Sequence, residues 1–167
     1  DGDTDNDLVI GGDVVGVHQC INNGAASFTC STFAGVATAR DVEAADLDAD
    51  AYPDLVFGSY DIDDTVCFGG PAGAFTCGPI DAGATFGVST GDLDGDGDLD
   101  VVLARSGVAS RSCLNDGARG FTCSDLSAPV ANWRDTDVAD VTGDGLADIV
   151  AAVQGPNVVC PGDGAGD

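Results

Sequence analysis

Short apolar runs recur along this chain at a regular interval, and each follows a stretch dense in aspartate. Leu55-Val56-Phe57, Val101-Val102-Leu103 and Ile149-Val150-Ala151 come directly after Asp54, Asp100 and Asp148, and a fourth aspartate stretch ends at Asp7. These closing aspartates lie 47, 46 and 48 residues apart. A period of that length marks a repeat protein and makes the repeat the structural unit. In the last repeat, Thr136 and Val138 alternate with polar neighbours and lead into an aspartate loop, and Ile149, Val150 and Ala151 leave it with strand character. Residues 157–160 read as a third strand and the glycine-rich PGDGAG as a turn. Earlier repeats supply a fourth strand at residues 27–30, 74–77 and 120–123. The turn strings NNGAAS, GGPAGA and NDGARG carry the Gly, Asn and Asp that supply positive φ in hairpins. Each repeat therefore predicts a four-stranded antiparallel meander. No helical window of useful length interrupts the pattern, so the expected fold is all-β.

A unit of about 47 residues buries little core by itself. It must cover its sheet faces with neighbouring repeats, which is the packing logic of propellers and solenoids. Counted from the aspartate loops, the repeats are residues 1–45, starting inside a loop, then 46–91, 92–139 and the truncated 140–167. Phe28, Phe75 and Phe121 recur in register and read as core. Trp133 reads as packing and His18, the lone histidine, as a surface residue.

Charge sharpens this picture. The net charge is −24, and Glu43 is the only glutamate against 28 aspartates, sixteen of which fall inside the four loops. Tight turns and short-reach metal ligands select aspartate, whereas a merely solvated acidic surface mixes Asp with Glu. A salt-adapted acidic surface is the lesser alternative. Lysine is absent and the five arginines are scattered, so nothing offsets the repulsion of a nucleic-acid backbone. The apolar runs are far shorter than the ~20 residues that span a bilayer. Because the chain opens inside a loop, the pattern expects sequence upstream, an export signal included.

Six cysteines form three pairs of identical ten-residue separation: Cys20 with Cys30, Cys67 with Cys77, and Cys113 with Cys123. Each pair would face across a hairpin and close a loop worth ~2.5 to 3 kcal/mol. Cys160 stands where a further pair would begin, its partner expected beyond residue 167. Zinc spacing is absent. Repeated disulfides place the chain in an oxidising, extracellular setting.

In residues 92–100, DLDGDGDLD, positions one, three, five and nine are Asp92, Asp94, Asp96 and Asp100, and the carbonyl of Asp98 at position seven is the expected backbone ligand. Carboxylates held this close repel unless a cation neutralises them, and an oxygen-only loop of this size selects Ca2+ over Mg2+. The same positions are Asp46, Asp48, Asp50, Asp54 and Tyr52 in the second loop. The fourth offers Asp140, Asp144, Asp148 and Leu146, with Thr142 at position three as the weaker ligand. Asp1, Asp3, Asp5 and Asp7 fill positions three, five, seven and nine of the first. An EF-hand is excluded, because it needs a carboxylate at position twelve, where these loops place Phe57, Leu103 and Ala151.

The pattern D-x-D-G-D-G-x-x-D followed by an apolar strand, repeated with glycine-rich hairpins, resembles the FG-GAP/VCBS repeat family, as in the integrin alpha-subunit β-propeller. The resemblance covers the whole chain, and Leu55-Val56-Phe57-Gly58 carries the Phe-Gly element. It implies tandem four-stranded blades of β-propeller type, each with a calcium loop between its first two strands. The blades here are short and disulfide-stapled, and about three and a half are present. The expected function is that of an extracellular, calcium-stabilised structural or adhesive protein, a segment of a larger propeller, array or filament. Its partners would be itself, as neighbouring repeats or copies, or a matrix or cell-surface protein. The alternative is a lectin-like or receptor-like propeller that binds glycan. The string Gly87-Val88-Ser89-Thr90-Gly91 matches G-x-S-x-G but lies before a loop on a strand and lacks a histidine partner, so no enzyme is expected.

Overall fold

The computed structural model describes residues 1 and 3–166, and every sheet in it is antiparallel. Strands β1 (Leu8–Ile10), β2 (His18–Asn22) and β3 (Phe28–Thr32) form the first sheet. The second contains β4 (Asp41–Ala45), β5 (Asp54–Gly58), β6 (Asp63–Gly70) and β7 (Ala74–Ala82). The third contains β8 (Thr85–Gly91), β9 (Asp100–Arg105), β10 (Arg111–Asn115) and β11 (Phe121–Asp125), and the fourth β12 (Trp133–Ala139), β13 (Asp148–Val153) and β14 (Val158–Cys160). Strand order follows chain order in each sheet, as in a meander. The loops at 46–54, 92–100 and 140–148 join the first two strands of their sheets. A repeat counted from its loop is thus offset by one strand from the sheet that contains it. Among the described residues no helix is long and apolar enough to cross a membrane.

Alternation along β5, β9 and β13 builds the interior, because successive side chains leave opposite faces. Leu55 and Phe57 join Val17, Phe33 and Val36 in a core against the first sheet, while Val56 between them packs with Val101 and Leu103 of the third. Val102 and Ala104 turn the other way and meet Trp133, Ile149 and Ala151. Both faces of β9 are covered, which is why residues 101–104 are continuously apolar and 0% exposed.

Two of the three hairpin phenylalanines pack against the preceding sheet. Phe75 lies 5.1 Å from Phe33, and Phe121 stacks on Phe68 at 6.5 Å. Phe28 belongs to the first sheet and is 42% exposed, which corrects its expected place in the core. Trp133 is buried as expected. Close approach of the first strands depends on glycine: a Cβ on Gly91 would stand 2.3 Å from Val138 Cγ1, and one on Gly87 2.7 Å from Asp135 Cα. Ser89 between them is buried, its hydroxyl 2.9 Å from that of Thr136. The G-x-S-x-G string is therefore a strand-packing surface on β8.

The three cysteine pairs are disulfides, each between directly opposed residues of a hairpin. At the ends of β5 and β9 remote from the loops, polar groups join the second and third sheets. Asp64, 0% exposed, accepts from Ser59 N–H at 2.8 Å and Thr85 Oγ1 at 2.7 Å. Arg105 Nη2 is 3.9 Å from Asp64 and donates to Asp81 at 2.7 Å, and Arg111 Nε lies 3.1 Å from Asp81.

Burial outweighs the hydrogen bonds and Arg105, and the Asp64 carboxyl is pushed up to about 6. A carboxyl whose folded pKa lies above its unfolded value stabilises most below the unfolded value, and that contribution is lost as pH rises through the folded one. A shift of this size is worth on the order of 3 kcal/mol. The Asp64→Asn variant should therefore gain stability relative to wild type as pH rises from about 4 to about 6, with no further gain above that. Urea melts across that range at fixed ionic strength check this, and a constant difference would refute the assignment.

Candidate metal centre

The aspartate loops fold by the same local device. Positions four and six take left-handed backbone in Gly95 and Gly97 (φ 79° and 97°), in Gly143 and Gly145 (79° and 90°), and in Ala49 and Ala51 (58° and 71°). Those turns aim main-chain N–H groups at the position-one carboxylate. Asp92 accepts from Gly95 at 2.8 Å and Gly97 at 3.1 Å, and Asp140 accepts from Gly143 at 2.6 Å and Gly145 at 3.0 Å. Asp46 accepts from Asp50 at 3.1 Å and Ala51 at 3.0 Å. Position five holds the next turn: Asp50 accepts from Tyr52, Asp96 from Asp98 and Asp144 from Leu146, all at 2.9–3.0 Å.

Two loops gather carboxylates closely. Asp46, Asp48 and Asp50 each offer an oxygen, all within 4.8 Å of one another, and Asp92, Asp94 and Asp96 do the same. With Thr142 at position three, the loop at 140–148 has no such triplet among the described residues. In the first loop Asp1 accepts from Asp3 N–H at 3.2 Å and Asp3 from Asp5 N–H at 2.9 Å, continuing the pattern. All donors in these triplets are oxygens, they converge, and they sit on exposed to half-buried turns with carbonyls at position seven. Such a set fits a hard divalent cation and offers nothing to a soft one.

Position nine serves a different purpose. Asp54, Asp100 and Asp148 are 0% exposed and clamp the loop to its sheet. Asp54 accepts from Leu47 and Gly69 N–H, each at 2.7 Å, and Asp100 from Leu93 and Asn115 N–H, each at 2.8 Å. Asp148 accepts from Val141, Thr142 and Gly162 at 2.8–2.9 Å. Asp7 repeats the arrangement with Asn22 N–H at 2.8 Å. Burial raises the Asp54 and Asp100 carboxyls above the usual value despite these donors. Asp148, at the less enclosed end of the array, is lowered, chiefly by Gly162 N–H.

The clamp has a counterpart that the sequence pattern did not reveal. The further residue donating to position nine is Asn22 on β2 or Asn115 on β10 in two sheets, and Gly69 on β6 or Gly162 just past β14 in the others. Asn22 and Asn115 also donate through Nδ2 to the position-eight carbonyls of Asn6 at 3.1 Å and Leu99 at 3.0 Å. Where glycine stands, the carbonyl takes the space of a side chain: a Cβ on Gly69 would lie 2.2 Å from Pro53 O, and one on Gly162 2.1 Å from Ala147 O. Asn115 Nδ2 further donates to Leu47 O at 2.7 Å, fastening the third sheet to the loop of the second. The alternation of Asn and Gly two residues after each of Cys20, Cys67, Cys113 and Cys160 was a signal available in the sequence.

Left-handed backbone costs an L-residue roughly 1–2 kcal/mol, which glycine avoids at some cost in unfolded-state entropy. Ala49→Gly and Ala51→Gly should each raise stability by about 0.5–1 kcal/mol, as the glycines of the neighbouring loops indicate. Thermal melts at one fixed calcium concentration check this. A fall in midpoint for both variants would contradict the loop geometry.

Residues 92–151 match the family described as FG-GAP-like repeat. The matched stretch holds the loops at 92–100 and 140–148 together with β9 to β12 and the start of β13. No curated protein matches the chain. Residues 92–151, with their strand–aspartate loop–strand units, are thus similar to the FG-GAP-like repeat family.

Proposed function

We propose that this protein is a calcium-stabilised, disulfide-stapled array of propeller-type blades, acting outside the cell as a structural or adhesive module. The observation that carries this reading is the pair of loops in which three carboxylate oxygens lie within 4.8 Å of one another, one of them inside the matched FG-GAP-like segment. Asp46, Asp48 and Asp50, and likewise Asp92, Asp94 and Asp96, would hold Ca2+. The carbonyls of Tyr52 and Asp98 stand at position seven, and Asp54 and Asp100 fix the strand that follows. The ion would supply charge neutralisation. At an effective dielectric of ~20, two like charges 4 Å apart cost ~4 kcal/mol, so a loop with three carboxylates gains from a divalent counter-charge.

The three disulfides support an oxidising location, since thiols in reducing compartments stay reduced. Sheets that bury both faces support association with further sheets of the same kind, whether from copies of the chain or from a matrix or cell-surface partner. The polar residues of the G-x-S-x-G string are spent on strand packing, so the reading assigns no catalytic role. A lectin-like or receptor-like reading has one observation in its favour. A groove of about 600 Å3 between the first and second sheets is lined by Asp5, Asn6, Gln19, Tyr52 and Phe75 among others. Specific retention on a glycan array would favour that alternative.

Calcium at about one hundred times its dissociation constant stabilises the folded state by about 2.7 kcal/mol per site. The oxidised protein should therefore melt several degrees higher in millimolar calcium than in chelator at matched ionic strength. In a titration with chelator the loop at 140–148 should empty before those at 46–54 and 92–100. An unchanged melting midpoint would overturn the calcium reading.

A further inference from the structure

Arg119 stands two residues before the hairpin phenylalanine, where the other hairpins carry Ala26 and Gly73. The backbone is left-handed in all three, at φ 57° for Ala26, 68° for Gly73 and 70° for Arg119. A long cationic side chain at a position suited to glycine needs a reason in what the side chain reaches. Its guanidinium lies 4.8 Å over the Phe68 ring. It pairs through Nε and Nη2 with Asp48 and approaches Asp50 Oδ2 at 3.6 Å. Asp48 and Asp50 are two of the three carboxylates gathered at 46–54. The Asp48 side chain is only 6% exposed, so this pair is less screened than an open surface bridge. Among the described residues no arginine pairs with Asp92, Asp94 or Asp96. Besides Ala49, Ala51 and Tyr52 in place of Gly95, Gly97 and Asp98, the loop at 46–54 therefore carries one fixed positive charge that the loop at 92–100 does not.

We propose that Arg119 is a built-in counter-cation of the loop at 46–54, competing with a divalent ion for Asp48 and Asp50 and making this the weaker of the two three-aspartate calcium sites. The inference rests on the calcium reading above. It makes ion binding at 46–54 an exchange: occupation by calcium releases the guanidinium from its carboxylates, while Asn115 keeps its bond to Leu47 O. The third sheet's hairpin, 71 residues away in sequence, then reports the occupancy of the second sheet's loop. The loop at 92–100 has no such link and fills without displacing a neighbour.

The test is a calcium titration of the whole oxidised chain, followed by NMR at the backbone amides of Asp50 and Asp96, in wild type and in Arg119→Gly, Arg119→Gln and Arg119→Lys. Glycine suits the left-handed turn, so its variant removes the charge without straining the hairpin. Wild type should fill the loop at 92–100 at lower calcium than that at 46–54. Arg119→Gly and Arg119→Gln should tighten the 46–54 site by about tenfold, as removal of a nearby like charge predicts, and leave 92–100 unchanged. Arg119→Lys should keep the site weak. Equal affinities in wild type, or a 46–54 site unchanged or weakened in both neutral variants while 92–100 binds, would overturn the proposal and leave the calcium reading intact. Amides that respond to calcium in neither loop of any variant would overturn both.

Discussion

A sheet of three or four short strands has two apolar faces and no helix to cover either, so each must be covered by another sheet. In this chain β5, β9 and β13 do most of that work. Leu55 and Phe57 go one way and Val56 the other, and Val101 and Leu103 oppose Val102 and Ala104 in the same manner. The interior is a series of shared layers in place of one central core. A sheet removed from the series would lose half of what it buries, as nearest-neighbour coupling in repeat proteins requires.

The aspartate loops follow from this arrangement. Each spans the turn between the first two strands, and its ninth residue is carried into the buried layer, where a carboxylate meets main-chain N–H groups of the loop and of the third strand. One residue type therefore serves two purposes within a single loop. The carboxylates at positions one, three and five lie at or near the surface and converge, while position nine is dry and hydrogen-bonded. The buried member tolerates its environment because donors surround it, and where enclosure is greatest, at Asp54 and Asp100, burial still raises the carboxyl.

Neighbouring sheets are tied at both ends by charged or polar groups. At the loop end, Asn115 and Arg119 reach the second sheet's loop. At the far end, Asp64, Thr85, Arg105 and Asp81 form a largely buried network. Four of the five arginines take part in ion pairs that the structure records: Arg40, Arg105, Arg111 and Arg119. In a chain of net charge −24, nearly every available cation is committed to fastening one element to another. The disulfides act more locally, each holding one hairpin.

Much of the design is legible in the sequence because it is local. The repeat, the strand–loop–strand order and the identity of positions one to nine follow from period, alternation and turn chemistry, all of which act within about ten residues. The cysteine pairs are equally local, since a ten-residue separation across a tight hairpin brings directly opposed residues together. Contacts between sheets had no such signature. Phe28, Phe75 and Phe121 are equivalent in the sequence, yet only the latter two have a preceding sheet to pack against. Asp54 and Asp100 look like further loop ligands until the third strand arrives to bury them. Arg119 meets Asp48 across 71 residues of chain, and Arg105 meets Asp64 only where β9 lies over β6. The sequence by itself determined the four antiparallel meanders and their loops through short-range backbone preference. The tertiary structure decided which faces are dry and which carboxylates keep a neighbour's charge, because burial and ion pairing depend on the surface that another sheet presents.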